Sequence, residues 1–131
     1  MPTYTTQQAD RALVLLRPIV RDAREAYLTL REELSEPGGL AALEKLVGTG
    51  HAPAHVRAAY EALKGALAEL GELEASLLDA ELGLVSLPGA IGGRAVHLCW
   101  KLGEEAVRYW YPLGGRYEER RPLPGLGIPV S

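Results

Sequence analysis

The sequence predicts an α+β protein: a long, kinked antiparallel helical hairpin, coiled-coil-like, with a small C-terminal antiparallel β-sheet of about three strands. Three observations predict it. Apolar residues recur at alternating steps of four and three from Ala9 to Leu34, the spacing of a helical seam. A second series, Val56, Tyr60, Leu63, Leu67 and Leu70, follows the same rule and continues to Leu73 and Leu77 with a shift of step at Gly71. From Val96 onward the pattern switches to the period of two that marks strands. The chain of 131 residues reads as a single domain, with the helical hairpin and a short connector helix at 5–81, the sheet at 83–111 and an irregular tail at 112–131.

Helix one opens on a capping box, Thr5 serving as N-cap to Gln8, with Tyr4 as a staple onto Ala9. Its seam is Ala9, Leu13, Leu16, Val20, Ala23, Tyr27, Leu30 and Leu34. Pro18 removes the bond to the Val14 carbonyl, so a kink is expected near residues 14 to 18. Val14, Leu15 and Ile19 widen the apolar stripe there, which predicts a second buried surface. Glu36-Pro37-Gly38-Gly39 ends the helix, and Leu40 to Val47 makes a connector of about two turns.

Helix two starts near Pro53 or Ala54 and packs antiparallel to helix one. Gly65 and Gly71 each weaken it by roughly 1 kcal/mol relative to Ala, and Gly71 marks a possible end. Gly83 to Pro88 reads as a short strand, with Gly89 to Gly93 as its turn. Next comes a hairpin holding both Trp, the single Cys, one His and two of the six Tyr. A two-residue turn at Gly103-Glu104 pairs Trp100 with Val107, Leu98 with Tyr109 and Val96 with Tyr111, and a four-residue turn preserves the same faces. His97, Cys99, Arg108 and Trp110 then share the outer face, with Cys99 opposite Arg108 and His97 opposite Trp110.

The net charge of -3 argues against a general nucleic-acid binder, which needs a dense positive field. No run of about 18 apolar residues offers a membrane span. The N-terminus lacks the pattern of a signal peptide and one Cys excludes an intrachain disulfide, so a cytoplasmic location is expected. Asn is absent and Arg outnumbers Lys eleven to three, which fits a hot habitat or a GC-rich genome.

Each candidate site residue has a chemical and a plain reading. Cys99 beside Arg108 would be a thiolate nucleophile or redox sensor if the guanidinium lowered its pKa, and is otherwise a small core filler. His97 has no Ser, Asp or second His placed to complete a relay. Trp110 offers a stacking surface, and Arg94, Arg120 and Arg121 offer charge for a phosphate or carboxylate. Glu104 and Glu105 read as solvated turn residues. His51 and His55 stand at the spacing zinc sites use, but Pro53 lies between them and no third ligand is evident. No metal site and no cofactor are expected.

The run Leu15-Leu16-Arg17-Pro18 after Thr5, then Gly83-Leu84-Val85 before Pro88, then Leu98-Cys99-Trp100, Gly103-Glu104, Tyr109-Trp110 and Arg121-Pro122-Leu123, resembles the prokaryotic family catalogued as domain of unknown function 2203. The resemblance spans nearly the whole chain and implies a fold but no reaction. Members commonly look like GLVDFP and YWH where this chain has Gly83-Leu84-Val85-Ser86-Leu87-Pro88 and Tyr109-Trp110-Tyr111. The carboxylate and imidazole of that pattern are therefore absent here.

These readings favour a non-enzymatic homo-oligomeric scaffold or adaptor, with a dimer favoured. Leu13, Leu16, Val20, Tyr27, Leu30, Leu63, Leu67 and Leu70 supply the oligomer interface. The outer hairpin face, with Arg94 and Arg121 beside it, receives a protein partner. The alternative is a small-molecule-binding protein or small enzyme on the same face, with Trp110 stacking and Arg94 or Arg121 supplying charge.

Overall fold

The computed structural model describes the backbone of residues 3–34 and 39–124, and their side chains except at 32–34 and 39–43. The expected helix stop at Glu36-Pro37-Gly38, the seam side chain of Leu34 and the tail beyond Pro124 lie outside the described residues. Helix α1 (Thr6–Leu34) starts where the capping box places it. The Gln8 amide donates to Thr5 Oγ1 at 3.1 Å and the Thr5 amide to Gln8 Oε1 at 3.0 Å. The helix then runs for 29 residues through Pro18, whose ring nitrogen leaves the Val14 carbonyl without its usual donor. Tyr4 does more than staple. Its hydroxyl donates to the Leu73 carbonyl at 2.8 Å, and its amide donates to the Pro88 carbonyl at 2.8 Å.

The expected two-helix hairpin is corrected to three helices, because the connector is a full helix, α2 (Gly39–Gly48). Helix α3 (Ala54–Glu72) packs antiparallel to α1. Ala23, Ala26 and Leu30 of α1 meet Val56, Ala59, Leu63 and Ala66 of α3, while Leu70 joins the cluster built on the first half of α1. Helix α3 passes through Gly65 and ends one residue beyond Gly71 in a Schellman motif. The Ala75 amide donates to Leu70 O at 2.9 Å and the Glu74 amide to Gly71 O at 3.0 Å. Glu74 holds the left-handed position at φ 60°, where glycine is usual. That cap throws Leu73 into a turn and Leu77 into a strand, so the apparent helical series beyond Leu70 is not helix.

The coiled-coil reading of α1 is overturned by the same packing. Ala9, Leu13, Leu16 and Val20 pack on the sheet with Val85, Leu87, Leu98 and Trp100, joined from α3 by Leu70, and the later half of the seam meets the rest of the buried face of α3. Helical spacing shows which stripe is buried but not what lies against it. Of the expected oligomer-interface residues, Leu13, Leu16, Val20, Leu30, Leu63 and Leu70 are buried within the chain's own core. Tyr27 is half-buried, and Leu67 alone is exposed. The second buried surface expected at Val14 and Leu15 is not made within the chain, where they are 72% and 55% exposed.

The sheet has five strands rather than about three, all antiparallel and adjacent in chain order: β1 (Ser76–Asp79), β2 (Leu84–Ile91), β3 (Arg94–Lys101), β4 (Tyr109–Pro112) and β5 (Arg121–Pro122). Strand β2 continues beyond Pro88, and Gly92-Gly93 alone turn the chain into β3. Both glycines have positive φ, 58° and 81°, as a type I′ hairpin requires. The stretch expected to be irregular returns across the sheet through a 3-10 turn at Tyr117–Glu119 before pairing as β5. Its Leu123 is buried in the core, and the Leu123 amide donates to the Arg108 carbonyl at 2.8 Å. Among the described residues no helix is long and apolar enough to cross a membrane.

Candidate functional site

The register of β4 against β3 decides which candidate residues meet. The pairs are Leu98 with Trp110, Cys99 with Tyr109, His97 with Tyr111 and Val96 with Pro112. This is one residue away from the expected register, so Trp110 changes face relative to His97 and Cys99. The cause lies in residues 102–108, which form neither expected turn. Gly103 takes φ 106°, the Lys101 amide donates to Glu104 Oε1 at 2.8 Å, and Trp100 Nε1 donates to the Glu104 carbonyl at 2.8 Å. From α1, Arg17 donates to the Glu105 carbonyl at 2.7 Å, and Asp10 Oδ1 accepts from the Val107 amide at 2.8 Å. Val107 is thereby buried without joining a strand, and pairing resumes at Tyr109. Neither Asp10 nor Arg17 carries a sequence signal for this task.

The face of the sheet away from α1 holds Ser86, His97, Cys99, Tyr109 and Tyr111 by register. His97 stacks on Tyr111 with ring centroids 4.7 Å apart. Residues after Pro112 return over this face, where the Arg120 guanidinium lies 4.2 Å from the Tyr117 ring centre and 5.5 Å from that of Tyr109. Cys99 is consequently buried, and burial above all pushes its thiol up to about 12, with Glu104 adding to the rise and Arg120 opposing it. A thiol so held stays protonated at neutral pH, which is opposite to the activation a nucleophile needs. Burial likewise raises Tyr111, against a hydrogen bond with Ser86 that lowers it. His97 is offered no relay here, since its neighbour is a stacked ring.

The helix-side face carries the other half of the candidate set. Arg94 shares this side of β3 with Val96 and Leu98, Trp110 lies opposite Leu98, and Arg121 lies opposite Trp110. Near the Gly92-Gly93 turn lies a groove of about 550 Å³ that, among the described residues, is lined by no helical side chain. Val96 and Trp110 line it with Ile91 and Leu113, and Arg94 and Arg121 bring charge. The Arg121 guanidinium sits 5.6 Å from the Trp110 ring centre. Three of the six candidate residues, Arg94, Trp110 and Arg121, are thus brought together. His97 and Cys99 belong to the other face, and Arg108 is exposed before β4. Glu104 is occupied as a turn acceptor. Among the described residues, no group of three or more His, Cys, Asp or Glu side chains could hold a metal ion.

Over the described residues, fold and site define a three-helix, five-stranded meander with a groove lined by Arg and Trp at one end of its sheet. The chain belongs to the family described as Uncharacterized conserved protein (DUF2203), whose profile matches residues 2–123. No curated protein and no solved structure matches the chain. The residues that carry the family resemblance have structural tasks here. Trp100 and Glu104 tie the loop, Gly83 lies at φ 68° against Leu102, and the Pro88 carbonyl receives Tyr4.

Proposed function

We propose that this protein is a non-enzymatic binding protein whose ligand is a small planar anion, a ring bearing a carboxylate or phosphate, held in the groove between Arg94, Trp110 and Arg121. The observation that carries the reading is the Arg121 guanidinium set against the Trp110 indole, with Arg94 lining the same open concavity. Guanidinium forks match carboxylate and phosphate oxygens, while an indole face accepts a flat ring. The groove volume of about 550 Å³ suits a small molecule. A binding role is favoured over an enzymatic one because the charged side chains lining the groove, Arg94 and Arg121, offer hydrogen-bond donors and neither an acceptor nor a nucleophile.

The scaffold reading loses its helical interface, since that seam serves the chain's own core. Self-association, if it accompanies binding, needs another surface. A cytoplasmic location accords with the free Cys99.

The test is fluorescence titration with phenyl phosphate and benzoate as probes and benzyl alcohol as the neutral control. Trp100 is only 1% exposed, so a saturable change reports Trp110. The expected result is saturation with both anions and none with the alcohol, loss of the response in Trp110→Ala, and about tenfold weaker binding in Arg94→Gln or Arg121→Gln. Unsaturable quenching, or equal affinity in the two glutamine variants, would sink the reading.

A further inference from the structure

The outward stripe of α1 carries an arrangement that the groove does not use. At 100° per residue, Arg11, Leu15, Pro18 and Asp22 fall on one line, with Val14 beside them, on the side roughly opposite Leu13 and Val20. Val14 is 72% exposed, more than any other large hydrophobic among the described residues, and its neighbour Leu15 is 55% exposed. Pro18 is exposed too and adds an apolar ring. Charges flank this apolar centre symmetrically. Arg11 precedes Leu15 by one helical turn, and Asp22 follows Pro18 by one turn. Among the described residues neither forms an ion pair within the chain.

The geometry points to a second copy of this chain as the occupant, packed antiparallel on α1 about a two-fold axis between Leu15 and Pro18. Reversing one helix against the other brings Leu15 against Pro18, and it places each Arg11 opposite the other copy's Asp22. A two-fold interface must complement itself, and this stripe does so both in apolar character and in charge. A parallel arrangement would set Arg11 against Arg11 and Asp22 against Asp22. The inference is independent of the ligand groove, which lies on the sheet and is read by fluorescence rather than by mass.

Sedimentation velocity over a concentration series, with the full chain, tests it. The wild type sediments as a dimer, while Val14→Glu and Leu15→Glu sediment as monomers whose helical circular dichroism is unchanged, since neither side chain belongs to the core. Arg11→Glu and Asp22→Arg each weaken the dimer by about tenfold through like-charge apposition, and the double variant regains wild-type association. A monomeric wild type, a dimer that survives Leu15→Glu, or a double variant no better than the singles would overturn the proposal.

Discussion

Asp10 Oδ1 accepts the Val107 amide at 2.8 Å across 97 residues of sequence, and this bond fixes the register on which the groove depends. With its amide committed to α1, Val107 cannot pair in the hairpin, and Trp110 arrives beside Leu98 on the face where Arg121 meets it. Asp10→Ala leaves a part-buried amide without its acceptor. The expected loss is about 1–3 kcal/mol, seen as a lower urea midpoint, and Trp110 fluorescence should shift before global unfolding. A variant as stable as the wild type would show that water replaces the carboxylate.

Glu74 stands at φ 60° in the C-terminal cap of α3. Glycine adopts that conformation without a Cβ penalty, although it adds freedom to the unfolded chain. Glu74→Gly should therefore stabilise the protein by about 0.5–1 kcal/mol, whereas Glu74→Ala should bring no gain. Chemical denaturation of the two variants side by side separates backbone strain from any effect of the charge.

Gly89 lies under Leu98, where an added Cβ would sit 2.6 Å from Leu98 Cδ1. Gly89→Ala should cost about 1–3 kcal/mol through overpacking in the sheet core. Adding Leu98→Val to it should recover part of the loss, a non-additivity that a double-mutant cycle measures.

Cys99 titrates at about 12 in the folded chain against an ordinary value of 9.0. Because the folded state holds the proton more tightly, its contribution to stability is fully present below about pH 9 and is lost as pH rises toward about 12. Tyr4, Tyr111 and Tyr117, also raised mainly by burial from 10.0, act in the same direction. The urea midpoint should fall across this alkaline range, and less steeply in Cys99→Ala. At pH 8 a thiol reagent should label native protein only at the rate at which the chain opens.

The start of α1, the antiparallel partnership of α1 and α3 and the alternation of β3 were legible because each is written locally, in a capping box, an apolar stripe and a two-residue period. What failed was partner choice. Leu13 and Leu70 read as surfaces for another chain because a stripe carries no address, and the sheet that takes half of the stripe is encoded some seventy residues later. Strand β1 was hidden because Leu73 and Leu77 keep helical spacing across a cap that has Glu rather than Gly at its left-handed position. Strand β5 was hidden by its Pro and by being two residues long. Half of the candidate site was legible as composition, in one Trp and two Arg. The division between faces was not, because it rests on a side chain of α1 that no hairpin rule includes.

The strand order has a kinetic meaning. Every neighbour in the sheet is also the next strand along the chain, so each pairing closes a short loop and the meander can zip without long searches. The contacts that tie the start of the chain to the sheet, Tyr4 with Pro88 and Asp10 with Val107, close far longer loops than any strand pairing. Folding should proceed by early formation of the β2–β3 ribbon around its glycine turn, with docking of the first helix as the late step. Substitutions at Tyr4 and Asp10 would then accelerate unfolding while leaving the refolding arm of the chevron nearly unmoved.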